Sequence, residues 1–377
     1  MKKTRKKTLA YLLAAVLLLT ISPITGFRAK AAPNTADKKA CWISFLDIEE
    51  TLQDKSESEF SARLSTMYDN VIKYGMNTVI VHVRAMGDAM YPSDYYPWSA
   101  SLSTDRSHPG YDPLQIMVDL AHKKNLQFEA WINPYRLSRD NESTASFKAT
   151  SFYKKFLPYS IEYKAPGGQT CLSLDPAQKE TKDLISNGIR EIVSKYDVDG
   201  IHFDDYFYVS GMADQLDIAS KKANVNALIT QVYQTIKSAN PTCTFGISPA
   251  GNPDNARSQG ADIDTWLSTP GYIDYIMPQI YWTDIYMTSS GAKHMFTDRC
   301  STWIKINKND LPMYVGLALY RVGTDSKTDL GWASSSTNLA YQYVTAKQLG
   351  YDGYALFRYQ WLEKNVAAEE LNHLKNY

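Results

Sequence analysis

The sequence lacks the motifs that mark metal and redox sites. Its six histidines form neither HxH nor HExxH, so we predict no metal ion and no cofactor. It has only four cysteines in 377 residues, with no CxxC pair and no zinc-ligand spacing. Disulfides are permitted outside the cell, but the spacing predicts no pairing. We interpret these residues as free, mostly buried thiols: Cys41, Cys171, Cys243 and Cys300.

Long apolar runs are also absent, except near the N-terminus. Residues 1–31 combine five basic residues at 2–7, an apolar run of 16 residues at 9–24 and the tripeptide Ala29-Lys30-Ala31. This organisation is typical of a cleaved secretory signal peptide. A retained membrane anchor is the alternative, although the run is shorter than the about 20 residues that span a bilayer. We divide the chain into a signal peptide (1–31), a flexible leader (32–38) and one domain (39–377).

An excess of positive charge is missing from the rest of the chain. Seven of the 40 basic residues lie in 1–31, which holds no acid, so 33 positive side chains face 40 negative ones, a net charge of −7. A mildly acidic exported chain is a poor candidate for binding nucleic acid or anionic membranes. We expect a secreted, cell-envelope-associated monomer with a polysaccharide or glycan-strand substrate. We expect no nucleic-acid partner and no stable membrane insertion after the signal is removed.

A glycine-rich phosphate loop is absent too, since FLDIEETLQ, after the first predicted strand, contains no glycine. This argues against an open doubly wound sheet. The chain instead has eight β-rich runs, at 40–47, 77–84, 127–135, 199–207, 244–251, 272–282, 311–320 and 353–359. Helical patterns separate them, at 57–75, 111–125, 178–196, 221–239, 292–308 and 335–349. The alternation predicts an α/β fold, a single (β/α)8 TIM barrel. A long insertion between the third strand and the third helix, 136–177, is expected to shape a cleft.

In such a barrel the functional side chains lie at the carboxyl ends of the strands. The run DGIHFDDYFY (199–208) places Asp204 and Asp205 side by side at the end of the fourth strand. Neighbouring carboxylates repel each other and resist burial, so packing does not explain them. Alternation turns His202, Asp204 and Tyr206 inward, and Asp205 reaches the cleft only if the strand bends there. The 27 Tyr and 8 Trp exceed the needs of a core, and stacking on sugar rings is one use for them.

Acid–base cleavage of a glycosidic bond needs two carboxyl groups about 5–10 Å apart. The adjacent pair cannot be assumed to span that gap, so Asp88, after the second strand, is a candidate partner. The seventh strand ends in Tyr320 and Arg321 and supplies no acid. The predicted catalytic residues are Asp204, Asp205 and Asp88. The predicted substrate-binding residues are polar and aromatic side chains at the strand ends: Arg84, Asn133, Tyr135, Arg136, His202, Tyr206, Ser248, Gln279, Tyr281, Trp282 and Arg358.

Distinct sequence blocks occur in order from about residue 40 to residue 360. They read GMNTVIVHVRAMGDAMYPSDYYPWSASL, AHKKNLQFEAWINPYR, YDVDGIHFDDYFY, FGISPAGN and IDYIMPQIYW. Together they resemble the glycosyl hydrolase-like 10 family. The resemblance implies a TIM barrel, a bacterial envelope setting and action on glycans, with peptidoglycan sugar strands as the leading substrate class.

The resemblance also implies site residues. The family's motifs fall on Arg84, Asp88, Asn133, Pro134, Tyr135, Arg136, Asp199, Gly200, Asp204, Asp205, Tyr208, Ser248, Pro249, Pro278, Gln279 and Tyr281. The fourth strand is also similar to the chitinase signature DGxDxDxE, but His202 replaces the middle Asp and Tyr206 the final Glu. The chitinase acid is therefore missing, and Asp204 or Asp205 would have to replace it.

Two functions remain open from the sequence. The first is an exported glycoside hydrolase that acts on a cell-envelope glycan by carboxylate acid/base chemistry, which the paired aspartates favour. The second is a non-catalytic glycan-binding TIM barrel, which the missing acid on the seventh strand favours. The enzyme is our leading interpretation.

Overall fold

A computed structural model describes residues 37–139 and 151–377. The predicted signal peptide (1–31) and residues 32–36 of the predicted leader lie outside the described residues. The last two leader residues already belong to the barrel, because Tyr343 donates a hydrogen bond to Asp37 and Lys38 begins the first strand. In the described part of the chain, no helix is both long enough and apolar enough to cross a bilayer.

Twelve strands occur in the described residues. They are β1 (Lys38–Ile43), β2 (Thr78–Arg84), β3 (Gln127–Ile132), β4 (Ser160–Lys164), β5 (Thr170–Leu174), β6 (Gly200–Phe203), β7 (Thr244–Ile247), β8 (Tyr275–Ile276), β9 (Tyr286–Thr288), β10 (Gly291–Lys293), β11 (Val315–Leu317) and β12 (Gly353–Leu356). Eight of them pair in parallel in the order β1, β2, β3, β6, β7, β8 and β11, β12, with β12 returning to β1. Bridges Ile276–Met313 and Gln279–Gly316 join the β8 and β11 segments and close the ring. The predicted (β/α)8 barrel is confirmed.

Helices surround the strands. They are α1 (Phe45–Leu52), α2 (Glu57–Lys73), α3 (Pro113–Lys123), α4 (Ser151–Phe156), α5 (Lys179–Lys195), α6 (Ile218–Ala239), α7 (Pro253–Ser258), α8 (Ile263–Trp266), α9 (Met295–Ile306), α10 (Gly331–Ser334), α11 (Asn338–Leu349) and α12 (Ala368–Lys375). The six predicted helices correspond to α2, α3, α5, α6, α9 and α11. The short helix α1 was not predicted, because the first strand was expected to continue to residue 47.

Local sequence signals explain where the helices begin. Ser56 and Glu59 form a capping box at the start of α2, so each side chain satisfies a backbone amide that the helix leaves free. Asp112 caps α3, and Pro113 occupies the first turn, where a missing amide hydrogen costs nothing. In α5 the apolar side chains recur at helical spacing and are buried, for example Leu184 and Ile189.

The alternation of side chains along the strands builds two apolar cores. On β2, Val79 and Val81 face outward and pack in the large core between barrel and helices. Ile80 faces inward. It belongs to the smaller core inside the barrel, formed by Ala40, Trp42, Ile80, Trp131, Tyr275, Met277 and Ala355. Successive residues of β2 therefore serve the two cores in turn.

A row of hydrogen-bonded polar side chains also lies inside the barrel; we name it the axial polar chain. Lys38 pairs with Glu129, which accepts a 2.5 Å hydrogen bond from the hydroxyl of Tyr275. That hydroxyl lies 2.7 Å from Nδ1 of His202, and Nε2 of His202 lies 3.0 Å from Oγ of Ser248. Since interior polar groups are costly without partners, these five residues depend on one another.

Glycine is required at position 246 on β7, next to this chain. A Cβ atom there would lie 1.9 Å from the ring of Tyr275. Any larger residue would therefore displace the tyrosine that connects Glu129 to His202.

The long insertion after β3 folds back onto the barrel. Its described part contains α4 and the antiparallel hairpin β4–β5, while 140–150 lie outside the described residues. Arg136 bridges to Ser173, and the amide of Leu174 donates to the carbonyl of Tyr135 at 2.7 Å. The hairpin therefore holds the segment that follows β3.

Candidate active site

A pocket of about 510 Å³ opens at the carboxyl ends of the barrel strands. Most of its lining residues follow β1, β3, β6, β8, β11 or β12. Six are aromatic: Phe45, Trp131, Tyr206, Tyr281, Tyr320 and Phe357. The polar lining residues are Ser44, His82, Arg136, Asp204, Asp205, Gln259 and Gln279. Aromatic walls with a few convergent polar groups are typical of a small-molecule or sugar site.

The two adjacent aspartates both line this pocket. The strand β6 was predicted to extend to residue 207, but it ends at Phe203. Because the chain leaves the strand there, Asp204 and Asp205 are released from strict alternation and both side chains reach the same cavity. Bending at this point was the condition under which Asp205 was expected to reach the cleft.

Asp204 is held by a dense set of donors. Trp131 Nε1 donates to Oδ2 at 3.0 Å, Asn133 Nδ2 lies 3.1 Å from the same oxygen, and the amide of Tyr206 donates to Oδ1 at 3.3 Å. Burial and the charge of Asp205 nevertheless raise the pKa of Asp204 from its usual 3.8 to about 7. Asp204 thus holds its proton about half of the time at neutral pH, although donors approach both of its oxygens.

Asp205 is less enclosed, with an intermediate exposure. Burial raises its pKa as well, while its own backbone amide, the Gln279 side chain and the charge of Arg136 oppose that rise. The charge of Asp205 contributes to the raised pKa of Asp204, so an ionised Asp205 favours the protonated form of Asp204. The pair therefore combines a proton donor with a carboxylate.

Arg136 provides positive charge beside the pair. Its guanidinium carbon lies 4.5 Å from the centre of the Tyr206 ring, and its backbone amide donates to Oδ1 of Asn133 at 3.0 Å. The same charge opposes the rise in the pKa of both aspartates. The structure thus brings Arg136 and Tyr206 to the pocket, as the sequence predicted.

Gln279 and Tyr281 line the pocket near Asp205, in the segment after β8. Gln279 Nε2 donates to the carbonyl of Ser248 at 2.8 Å. The Tyr281 hydroxyl is buried and has no hydrogen-bond partner among the described residues. Burial raises its pKa far above 10, as do the neighbouring Tyr320 and Asp205, so it remains a donor. A bound ligand could satisfy it.

Four other predicted binding residues support the lining without being part of it. Asn133 positions Asp204, and Ser248 accepts from Gln279 through its carbonyl. His202 is fully buried in the axial polar chain. Arg358 donates to Oγ of Ser44 at 3.3 Å and pairs with buried Asp47 at 2.5 Å. The supporting residues are therefore Asn133, His202, Ser248 and Arg358.

The remaining four predicted residues, Arg84, Asp88, Tyr135 and Trp282, do not line the pocket. The register shifts between His82 and Arg84, which interrupts the alternation, and Arg84 instead lies over the Tyr96 ring and donates to the carbonyl of Pro134. Asp88 Oδ1 accepts from the amides of Ala85 and Met86 at 3.2 and 2.9 Å, so its carboxylate organises a turn. Its expected place beside the aspartate pair is a correction to the prediction.

Tyr135 and Trp282 are corrected for a different reason. Tyr135 is fully buried and packs edge-on against Phe207 behind the lining. Trp282 packs against the outer core, and its carbonyl accepts from Gln342. Both follow a strand, but their side chains point away from the barrel axis.

Several lining residues were not predicted as site residues. Trp131 precedes Asn133 by two positions on the inward face of the third strand, so alternation could have identified it. His82, similarly, shares the inward face of β2 with Ile80. Phe45 belongs to α1, which gave no signal of its own. Among the described residues, no three His, Cys, Asp or Glu side chains converge as metal ligands would.

Comparison with known proteins identifies the family. The sequence profile described as glycosyl hydrolase-like 10 matches residues 39–218 and 209–334. The chain belongs to the glycosyl hydrolase-like 10 family. The family resemblance seen in the ordered sequence blocks is thereby confirmed.

Curated relatives are identical to this family member at about a third of the aligned residues. Glycosyl hydrolase YngK of Bacillus subtilis strain 168 is 33% identical over 359 residues, which cover 86% of this chain and 68% of that protein. Glycosyl hydrolase DigH of Escherichia coli strain K12 is 35% identical over 306 residues, 70% of this chain and 67% of that protein.

Solved structures of glycoside hydrolases share the fold. An endo-1,4-β-mannanase from Rhizomucor miehei aligns with a TM-score of 0.59 at 11% identity, covering 92% of this chain and 96% of that chain. The catalytic domain of a β-amylase from Paenibacillus polymyxa aligns with a TM-score of 0.58 at 10% identity, covering 91% and 98%. At such identities the likeness concerns the barrel alone.

Proposed function

We propose that this protein is an exported glycoside hydrolase that cleaves peptidoglycan sugar strands. The observation that carries the proposal is the aspartate pair at the barrel mouth. Asp204 and Asp205 are the only acids among the described residues that line the pocket, and Asp204 has a pKa of about 7. Glycoside hydrolysis requires a protonated carboxyl and an ionised one about 5–10 Å apart, so the proposal requires the two side chains to diverge into the pocket from their adjacent positions.

The proposed chemistry assigns one role to each carboxyl. Asp204 gives its proton to the glycosidic oxygen as the bond from that oxygen to the anomeric carbon breaks. Asp205, ionised, either attacks the anomeric carbon or takes a proton from the attacking water, and Arg136 stabilises its charge. In the first case water breaks the glycosyl–Asp205 bond and gives its proton to Asp204, which restores both carboxyl groups; in the second case Asp204 is reprotonated from the water proton that Asp205 removed. The anomer of the first product, read by NMR, distinguishes the two routes.

The pocket walls support a sugar substrate. Six aromatic side chains line it, and aromatic faces stack on the apolar faces of sugar rings. Unpartnered Tyr281 offers a hydroxyl to a substrate that is rich in acceptor oxygens. Two curated relatives are named glycosyl hydrolases, which agrees with this proposal.

The envelope setting supports the choice of peptidoglycan. Residues 1–31 have the organisation of a secretory signal, and the remaining chain is mildly acidic. Fractionation of producing cells and N-terminal sequencing test the export. We expect an extracytoplasmic chain that begins at Ala32. A chain that begins at residue 1 and stays in the membrane would show a retained anchor instead.

The decisive experiment measures release of reducing ends by the purified protein. The substrates are peptidoglycan strands with and without their peptides, with chitin oligomers and β-glucans for comparison. Asp204→Asn and Asp205→Asn are assayed beside wild type, and Asp325→Asn, the same change at an exposed position, serves as the matched control. We expect cleavage of the glycan strands, lost in both pocket variants and kept in the control.

The alternative function gives a different pattern. A glycan-binding barrel would bind the strands, release no reducing ends, and keep its affinity in Asp204→Asn and Asp205→Asn. Cleavage that both variants retain, in protein that folds normally, would refute the assignment of the aspartates.

A further inference from the structure

His82 occupies a fixed position at the inner wall of the pocket. The backbone amide of Phe45 donates to its Nδ1 at 3.1 Å. Its ring stacks on Trp131 with the centres 3.3 Å apart and the planes inclined by 17°. Since a neutral imidazole has one donor and one acceptor nitrogen, the bond from Phe45 makes Nδ1 the acceptor and places the hydrogen on Nε2.

The Nε2–H group has no hydrogen-bond partner among the described residues, although the side chain is only 3% exposed. His82 also lines the pocket. Burial lowers the pKa of His82 well below its usual range, with a contribution from the charge of Arg136, so the ring stays neutral. A buried donor without an acceptor is unfavourable, and it is uncommon in folded proteins.

The indole of Trp131 lies between His82 and Asp204, the proposed proton donor. Trp131 stacks on His82 with its ring and donates to Asp204 through Nε1. His82 and Asp204 therefore contact the same indole, one at its ring face and the other at its Nε1–H, and both line the pocket. Tyr281, another pocket donor without a partner among the described residues, follows β8, which is the fourth strand around the ring from β2. In a ring of eight strands, the two donors face each other across the barrel mouth.

We infer that His82 is a substrate-binding residue whose Nε2–H donates a hydrogen bond to an acceptor oxygen of the sugar held beside Asp204. The inference rests on the proposed function. It assigns His82 no part in proton transfer, because its acceptor nitrogen is occupied by Phe45. A hydroxyl, ring or amide carbonyl oxygen satisfies the donor, and an apolar ligand does not.

Two isosteric variants separate this role from a structural one. His82→Gln places an amide nitrogen near the position of Nε2 and loses the acceptor for Phe45. His82→Asn places an amide oxygen near the position of Nδ1, keeps the acceptor for Phe45, and loses the pocket donor. We expect kcat/KM on peptide-free peptidoglycan strands to fall about 10- to 100-fold in His82→Asn, with His82→Gln closer to wild type. The opposite order would show that His82 only holds Phe45, and would overturn the inference.

The pH profile provides a second readout. Because the ring stays neutral, the limbs of the pH–rate profile should keep their positions in both variants. The disappearance of a limb on substitution would assign His82 an acid or base role and overturn the donor role. Affinity for the same strands, measured in the Asp205→Asn background, should follow the order of kcat/KM.

The tautomer can be tested without any substrate. Nitrogen-15 NMR of the histidine-labelled protein should show the His82 ring protonated on Nε2, with a shift on addition of peptide-free strands. A ring protonated on Nδ1 refutes the inference directly. If wild type binds strands but never cleaves them, the proposed hydrolysis fails, whereas the order of affinities of the two variants still decides the role of His82.

Discussion

Replacing Asp204 by Asn should make the stability of the protein less dependent on pH. The pKa of Asp204 is about 7 in the folded protein, against 3.8 for an ordinary aspartate. Between these values the folded state binds more protons than the unfolded state, so the free energy of unfolding falls as the pH rises. The difference of roughly 3 pH units, at about 1.4 kcal/mol per unit, amounts to about 4 kcal/mol in total. Roughly two of these units lie between pH 5 and pH 8, or about 3 kcal/mol.

The amide that replaces the carboxyl in Asp204→Asn does not titrate, but it has a cost of its own. Trp131, Asn133 and the Tyr206 amide all donate to this carboxyl, and an amide side chain would direct its NH₂ group at one of them. At pH 5 that mismatch costs at most about 1–3 kcal/mol, because the protonated carboxyl of wild type already turns an O–H toward one of the same donors. We therefore expect Asp204→Asn to be less stable than wild type at pH 5. Between pH 5 and pH 8, the difference in the free energy of unfolding between the two proteins should shift by about 3 kcal/mol in favour of the variant.

Thermal unfolding at pH 5 and pH 8 measures the effect. The difference in Tm between variant and wild type should change by roughly 4 °C between the two pH values for a chain of this size. Asp325→Asn, at an exposed site, should follow wild type at both. If Asp204→Asn and wild type show parallel pH dependence, Asp204 does not hold a proton near neutral pH, and the assignment of the proton donor falls with it.

Three further outcomes follow from the same contacts. The rate of glycan cleavage should fall above about pH 7, as Asp204 loses its proton, and a rate that still rises at pH 9 would contradict this. Trp131→Phe keeps an aromatic ring on His82 but removes the indole donor, whose hydrogen bond lowers the pKa of Asp204. The alkaline limb of the pH–rate profile should therefore shift to higher pH by about 1 unit. Asp88→Asn keeps the Oδ1 acceptor for two turn amides and should leave kcat/KM within about threefold of wild type, whereas Asp88→Ala should lower the free energy of unfolding by about 1–3 kcal/mol.

The order of strands and helices could be predicted because each element repeats its own period. Apolar runs and helical spacing identified all eight barrel strands and six major helices. The residues at which strands begin and end were harder to predict. The run 272–282 was predicted as one strand, yet only Tyr275–Ile276 is regular, since the segment that follows turns into the pocket. Hairpin β9–β10 lies in a stretch without alternation and left no signal.

The positions of the strand ends predicted part of the site. Asp204, Asp205, Arg136, Tyr206, Gln279 and Tyr281 reached the pocket as predicted. Arg84 and Asp88 did not, because a register shift in β2 lies between His82 and Arg84. Such an irregularity depends on pairing with the neighbouring strand, and the sequence of one strand does not encode it. The hydrogen bonds from Trp131 and Asn133 to Asp204 were equally hidden, because each joins residues that follow or belong to two different strands.

The four cysteines illustrate what composition can predict. They were interpreted as free and mostly buried, and the structure has all four as free, buried thiols. Burial raises the pKa of Cys41 and Cys300, so these thiols stay protonated. Their role is therefore one of packing.

The axial polar chain restricts how this barrel can evolve. Loss of Glu129 alone would leave both Lys38 and Tyr275 without their acceptor in the interior, and removing one partner of a buried pair typically costs about 3–5 kcal/mol. Replacing the whole set by well-packed apolar side chains carries no such penalty, but it demands several simultaneous changes. Single substitutions in the axial polar chain are therefore destabilising, whereas residues at the pocket rim are not subject to this constraint. New specificities in this lineage should arise from the loops, above an interior that is inherited as a unit.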